Sequence, residues 1–487
     1  MRTHDVNELG TEKPLTLIAH LALPTICANL ASSLYTFIDR LFIGHYVGGS
    51  ALTAVGIVSP LNNIVAAVTV MLSVGGGAML ATSFGKGSRK QANVIFTNIV
   101  VMSAGISMVV VLAFELFASP LCVLCGATAG TETEALAVLF LRVTSLGTLS
   151  QIVNIGFATM IRSEGNPSYS MFVTMIGAVI NVGANALAII VLGMGLIGSA
   201  WSTVLSSAIA AYLSIRYYTT GRGAVSWEGW SAVSGKIILR TAALGIAPAV
   251  FQILSFVNNT LINRSLMAYA PQQLGEGGGD VAIAANTVIS TVESIVIMII
   301  MGTSNAVSTV ISYSNGAKDW RRLRSAALIG QVMAGVVSVA LWLVWRLVPR
   351  IPFELFVGED EQTISVGVQA VSYGKLFIFG LGFQTLASMY FSAISRPQVA
   401  TLISVSRNGL FLIPALLTLP PQFGLLGVYA SSSVSDACSL VLVGGIYLRE
   451  MARLSKLVKE QDLREGASGE HGQLAEKAGS TLGGKDD

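Results

Sequence analysis

Apolar stretches long enough to cross a bilayer recur along nearly the whole chain, from Leu15 almost to Leu448. A hydrocarbon core of roughly 30 Å takes about 20 helical residues, and about twelve stretches reach that length. Only 11% of the residues are charged and 53% are hydrophobic, whereas soluble domains carry about 25% charged residues. Glycine is abundant, at 50 residues, which suits close-packed transmembrane helices. A β-barrel would instead show short segments of alternating polarity. The expected class is therefore an all-α polytopic membrane protein with twelve transmembrane helices.

The net charge is only +3, but the positions of Lys and Arg alternate along the chain. Lys86, Arg89 and Lys90 follow the second stretch, Arg162 the fourth, and Arg216, Arg222, Lys236 and Arg240 surround the loop after the sixth. Lys318, Arg321, Arg322 and Arg324 follow the eighth, Arg396 the tenth, and Arg449, Arg453, Lys456 and Lys459 the twelfth. Most intervening loops lack both residue types; the loop with Arg346 and Arg350 offsets them with Glu354, Glu359, Asp360 and Glu361. The positive-inside rule then puts both termini in the cytoplasm. A polar start followed by an apolar run of full transmembrane length argues against a cleaved signal peptide. Four Cys in this length make no disulfide framework.

The chain repeats itself. Pro24 precedes Asp39-Arg40 by fifteen residues, as Pro248 precedes Asn263-Arg264. Gly85, Pro167 and Gly195-Leu196-Ile197-Gly198 recur in the same order as Gly316, Pro397 and Gly424-Leu425-Leu426-Gly427. Six helices per copy is an even number, so the two halves share one orientation, as in parallel repeats related by an axis along the membrane normal. The implied organisation is a cytoplasmic N-terminal segment at 1–14, an N-lobe at 15–217, a cytoplasmic linker at 218–237 and a C-lobe at 238–449. A disordered cytoplasmic tail is expected at 450–487, which is rich in Gly, Glu, Lys and Ser. Two such lobes suit alternating access about a central cavity.

Acidic groups inside membrane helices are costly and are functional candidates by default. Asp39 near the end of the first stretch and Glu293 within the eighth are the foremost, and Tyr35 shares a helical face with Asp39. Asn181 and Asn185 are spaced i, i+4, and Thr203 follows the Gly195 turn. Carboxylate, amide and hydroxyl oxygens suit a proton network or a small hard cation. The same groups could equally serve as interhelical hydrogen-bond glue, and Asn154 and Gln252 stand at that same level. Pro24 and Pro248 lie inside transmembrane stretches, where a missing N–H favours a kink that is either fixed or a hinge. No phosphate-binding GxxxxGK[ST] loop and no HExxH pair is present, so neither catalysis nor ATP hydrolysis is expected of this chain. No cofactor is expected beyond H⁺ or Na⁺ as coupling ion.

Pro24, the run Ile38-Asp39-Arg40-Leu41-Phe42-Ile43-Gly44, and Arg162-Ser163-Glu164-Gly165-Asn166-Pro167 resemble segments of the multidrug and toxic-compound extrusion (MATE) family, especially its bacterial multidrug branch. The likeness covers both halves, roughly from Leu15 to Arg449. It implies a V-shaped protein of two pseudo-symmetric six-helix lobes in the cell membrane, exporting small organic cations or drugs in exchange for H⁺ or Na⁺. It also implies a monomer that binds no nucleic acid. By the resemblance, Asp39 is the N-lobe coupling carboxylate, with Tyr35, Asn154, Asn181 and Thr203 at matching positions of the polar site. Where many members carry a second Asp four residues after Asn181, this chain has Asn185, which weakens Na⁺ and favours H⁺. A flippase for a lipid-linked or amphiphilic substrate is the nearest alternative, and it calls for a wide, more basic cavity.

Overall fold

The computed structural model describes residues 8–482 apart from 48, 126, 128, 277, 358 and 359. Ten helices are long and apolar enough to span a membrane, and two further bent pairs bring the number to twelve. Spans 1 to 3 are Pro14–Phe42, Gly49–Gly85 and Arg89–Leu116. Span 4 is the pair Glu132–Leu146 and Thr148–Ser163, bent by 49°. Span 5 is Pro167–Asn185, continued by a π-helical turn over Ala186–Val191, and span 6 is Gly195–Thr219.

The second half repeats the plan. Spans 7 to 9 are Gly235–Tyr269, Gly278–Ala317 and Trp320–Leu347. Span 10 begins as Glu361–Gly374 and, after a 63° bend, ends as Leu381–Ala393. Span 11 starts at Pro397–Val405, passes through a π-helical turn at Ser406–Phe411 and ends at Leu412–Thr418; span 12 starts at Leu425.

Local chemistry sets the helix starts. Pro occupies the first turn at Pro167 and Pro397, where its missing N–H costs nothing. The Ser88, Thr131, Asn166 and Asp319 side chains accept from the N–H three residues on, satisfying orphan donors of the first turn. Gly165 has φ of +89°, a conformation that glycine adopts without penalty, and with Asn166 and Pro167 it turns the chain from span 4 into span 5.

Pro24 and Pro248 lie within uninterrupted helices. The sharp bends fall instead in spans 4 and 10, at Gly147 and between Gly374 and Ile378. They occupy equivalent places, since Gly147 precedes Pro167 and Phe377 precedes Pro397 by twenty residues each. The segment expected to be disordered after span 12 is helical as far as Leu482. Its Glu, Lys, Gln, Leu and Ala residues are strong helix formers, and its first turns are held to span 9 by Gln461 Oε1 accepting from the Trp320 N–H at 2.9 Å and by an Arg321–Asp462 ion pair at 2.5 Å.

The lobes meet through spans 1, 2, 7 and 8, and most tightly toward the ends that carry the basic loops. A β-carbon on Gly75 would overlap the Thr241 carbonyl, one on Gly85 the Tyr313 carbonyl, and one on Gly316 the Thr82 carbonyl. Small residues let helix backbones approach in this way. Span 1 belongs to both lobes. Leu17, Ile18, Leu21 and Ala22 are buried in one cluster with Val307, Val310 and Ile311 of span 8, while its far half packs on span 5.

The linker is strapped to the N-lobe. Asn98 Oδ1 accepts from the Ser234 N–H at 2.7 Å and Asn98 Nδ2 donates to the Ala232 carbonyl at 2.9 Å. Thr97 accepts from the Glu228 N–H, and Asn93 exchanges bonds with Ser226 and Glu228.

Candidate functional site

Asp39 stands one turn before the end of span 1, facing spans 5 and 6. Its Oδ1 accepts from Asn185 Nδ2 and from Ser199 Oγ, both at 2.7 Å. Asn185 Nδ2 also donates to Asn181 Oδ1 at 3.2 Å, and Asn181 Nδ2 reaches Ser206 Oγ at 3.3 Å and Thr203 Oγ1 at 3.5 Å. The result is a polar chain from Asp39 through two buried amides to the hydroxyls of span 6. Spacing explains its form. Asn181 and Asn185 are one helical turn apart, as are Ser199 and Thr203, so two polar ridges face each other across the span 5 and span 6 contact. The π-helical turn begins immediately after Asn185, and such turns recur at functional sites.

Two adjoining cavities flank this chain. One, of about 340 Å³, is lined by Asp39, Tyr35, Asn62, Asn63, Gln151 and Thr203 among others. The second, of about 240 Å³, shares Tyr35, Gln151 and Thr203 and reaches Asn154. Ile155 and Ser207 also line both. Asn154 Oδ1 is buried with no partner among the described residues, and so is Asn185 Oδ1. Buried acceptors of this kind are costly until water or a ligand meets them.

The sequence therefore places Asp39, Tyr35, Asn154, Asn181, Asn185 and Thr203 in one neighbourhood, but with unequal roles. Thr203 lies three hydrogen bonds from the carboxylate, and Ser199 touches it directly. Ser199 went unnoticed in the sequence, although it follows Gly195 by four residues and precedes Thr203 by four. The side chain of Arg40 lies outside the described residues.

Gln252 and Glu293 are elsewhere. They line a C-lobe cavity of about 360 Å³ together with Lys375 and Arg407. Glu293 Oε1 lies 2.6 Å from Lys375 Nζ, with both side chains about 85% buried, and Arg407 Nε lies 2.5 Å from Asp436 Oδ1. Glu293 is thus one half of an ion pair and not an isolated carboxyl. Pro24 falls midway along span 1, between the half packed on the C-lobe and the half holding Asp39. Pro248 lines a small cavity beside Phe251 and Arg407. Among the described residues no group of three or more His, Cys, Asp or Glu is placed to hold a metal ion.

Most of the chain has counterparts among known proteins. The multidrug export protein MepA of Staphylococcus haemolyticus is 23% identical over 433 residues, 88% of this chain and 92% of that protein. MepA of Staphylococcus aureus strain MSSA476 is 24% identical over 436 residues, with the same two coverages of 88% and 92%. The solved outward-facing conformation of a multidrug resistance MATE family transporter of the MOP superfamily matches with a TM-score of 0.84 at 19% identity, covering 94% of this chain and 99% of that one. A MOP superfamily transporter from Pyrococcus furiosus matches at 0.83, again at 19% identity with 94% and 99% covered. The structural likenesses establish the fold of two six-helix lobes. The MatE family model matches residues 24–187 and 272–417, more than half of the chain and parts of both lobes, so this protein belongs to the multidrug and toxic-compound extrusion family of membrane transporters.

Proposed function

We infer that the protein is a secondary active antiporter of the plasma membrane, with both termini cytoplasmic, which exports organic cations or drugs in exchange for protons by alternating access. The observation that carries this reading is the double hydrogen bond on Asp39 Oδ1, on a helix whose other half is built into the opposite lobe. A proton arriving at Oδ1 must displace the Asn185 or the Ser199 donor. The loss of that contact frees the outer half of span 1 from spans 5 and 6, while Leu17 to Ala22 stay in the C-lobe core. Asn29 Nδ2 donating to the Met298 carbonyl at 3.4 Å and Ser33 Oγ contacting Met298 Sδ at 2.6 Å carry the displacement to span 8. A change of charge in a buried site alters its solvation by several kcal/mol, enough to shift a two-state equilibrium more than about tenfold.

Protons fit the donor set better than Na⁺. One carboxylate oxygen is already occupied by an N–H and an O–H donor, and a hard cation needs several converging lone pairs. The names of the relatives, multidrug export proteins, support drug-like substrates. The flippase alternative is disfavoured by the C-lobe, where the Lys375 and Arg407 charges are each cancelled by a carboxylate and leave no net positive wall for a pyrophosphate.

The test is efflux of a fluorescent organic cation from proteoliposomes given only a proton gradient or only a Na⁺ gradient. The reading expects efflux under the proton gradient that vanishes in Asp39→Asn; movement under the Na⁺ gradient alone, or undiminished efflux by the variant, would overturn it.

A further inference from the structure

The C-lobe cavity has no part in this coupling scheme, yet it is as large as the N-lobe ones and is built differently. Among the described residues, no Lys or Arg lines the cavity that holds Asp39. The C-lobe cavity instead has Glu293, Lys375 and Arg407 on its wall, with Asp436 paired behind Arg407 and only 4% exposed. The four charges cancel. A bare cation would have to separate Glu293 from Lys375 and strand a buried ammonium, and a bare anion would strand a buried carboxylate. Removing one partner of a buried pair is strongly unfavourable. A molecule that carries both charges escapes this penalty, because it gives each member of the opened pair a new partner.

A second observation is independent of the charges. Asn258, which lines the same cavity, is 4% exposed, and no described residue hydrogen-bonds its Oδ1 or its Nδ2. The Tyr429 hydroxyl on the same lining, in a residue 7% exposed, is likewise without a partner among the described residues. An amide with both ends orphaned and a phenol with none of its capacity used are expensive to bury. Together they offer two donors and two acceptors to an occupant. The π-helical turn Ser406–Phe411 supplies Arg407 and Asn408 to this wall.

We propose that the C-lobe cavity is a second ligand site, selective for zwitterionic small molecules, in which the carboxylate of the ligand meets Lys375 and Arg407, its cationic group meets Glu293, and Asn258 and Tyr429 complete the hydrogen bonding. Asn258 and Tyr429 select for polarity, and the ion pair selects for net neutrality.

The experiment is equilibrium binding to the full chain in nanodiscs, read by fluorescence anisotropy, with a matched pair of dyes. One is a carboxy-rhodamine that is zwitterionic at neutral pH, and the other is its methyl ester, which is cationic. Because binding is read and not efflux, the result is independent of the proton-coupling scheme. The double variant Glu293→Gln/Lys375→Gln keeps the cavity neutral and should fold; it should bind the zwitterion at least about tenfold more weakly, the scale of a lost charge-assisted contact. Lys375→Gln alone should reverse the preference toward the ester. Asn258→Leu should weaken the zwitterion while leaving the protein at least as stable, since it removes two orphaned groups. Absence of saturable zwitterion binding, or unchanged affinity in the double variant, would mean that the cavity holds only water and would overturn the proposal.

Discussion

Asn185 Nδ2 and Asp39 Oδ1 are joined by a hydrogen bond of 2.7 Å across 146 positions of the chain, which ties the C-terminal end of span 1 to span 5. Hydrogen bonds to charged groups contribute about 1.5–3 kcal/mol. Asn185→Leu should therefore slow proton-driven efflux by about tenfold or more, and Ser199→Ala should do so to a similar degree. Initial rates in proteoliposomes check both, and a wild-type rate in Asn185→Leu would remove this contact from the coupling path.

At the lobe interface, a β-carbon on Gly245 would overlap the Met71 carbonyl oxygen. Backbone is the obstacle there, so no side-chain rotation relieves it. Gly245→Val should push spans 2 and 7 apart at a cost of at least about 1–3 kcal/mol. The expected signature is faster labelling, from the basic-loop side, of a cysteine placed at Thr82, and an unaltered rate would show that spans 2 and 7 do not seal that side.

The Glu293–Lys375 pair at 2.6 Å, with side chains 15% and 14% exposed, should behave as a unit. Lys375→Met strands a carboxylate and should cost about 3–5 kcal/mol, whereas pairing it with Glu293→Gln should restore most of that loss. Thermal unfolding in detergent compares the two, and equal losses would contradict the pairing.

Glu164 caps the C-terminal end of span 4 and is only 2% exposed. Its Oε2 accepts from the Ala224 N–H of the linker at 3.1 Å, and burial pushes its carboxyl up from the ordinary 4.5 to about 8. The folded state thus holds the proton more tightly than the unfolded chain does. The neutral carboxyl costs nothing below about 4.5; stability then falls as pH rises and is lowest above about 8. Glu164→Gln keeps an acceptor for Ala224 and removes the charge. The variant should match wild type at pH 4.5 and be more stable by several kcal/mol above pH 8; parallel pH profiles would contradict the burial argument.

How far these features could be read in the sequence differs from residue to residue. Asp39 was visible because a carboxylate in an apolar run is rare, and Asn181 with Asn185 because their spacing puts them on one face. The halves showed through Pro24 and Pro248, Pro167 and Pro397, which are fixed by backbone chemistry. Ser199 was not visible, since serine is common in membrane helices and only the crossing of spans 5 and 6 selects it. The Glu293–Lys375 pair could not be read either, because its members are 82 residues apart in number and only the bend in span 10 brings them together. Prolines drew attention as kink sites, yet their helices continue unbroken, with the sharp bends at Gly147 and between Gly374 and Ile378. The helix past Lys456 was hidden by overall polarity, which speaks to burial and not to the helix propensity of Glu, Lys and Gln.

The most direct measurement of the central claim is proton release when a substrate cation is added to the purified protein in weakly buffered detergent. If the cation and the proton compete through Asp39, the wild type, first loaded with protons at low pH, should release up to one proton per bound cation by linkage, and Asp39→Asn should bind the cation with no release. Equal release by both proteins, or cation binding by wild type without release, would contradict the account.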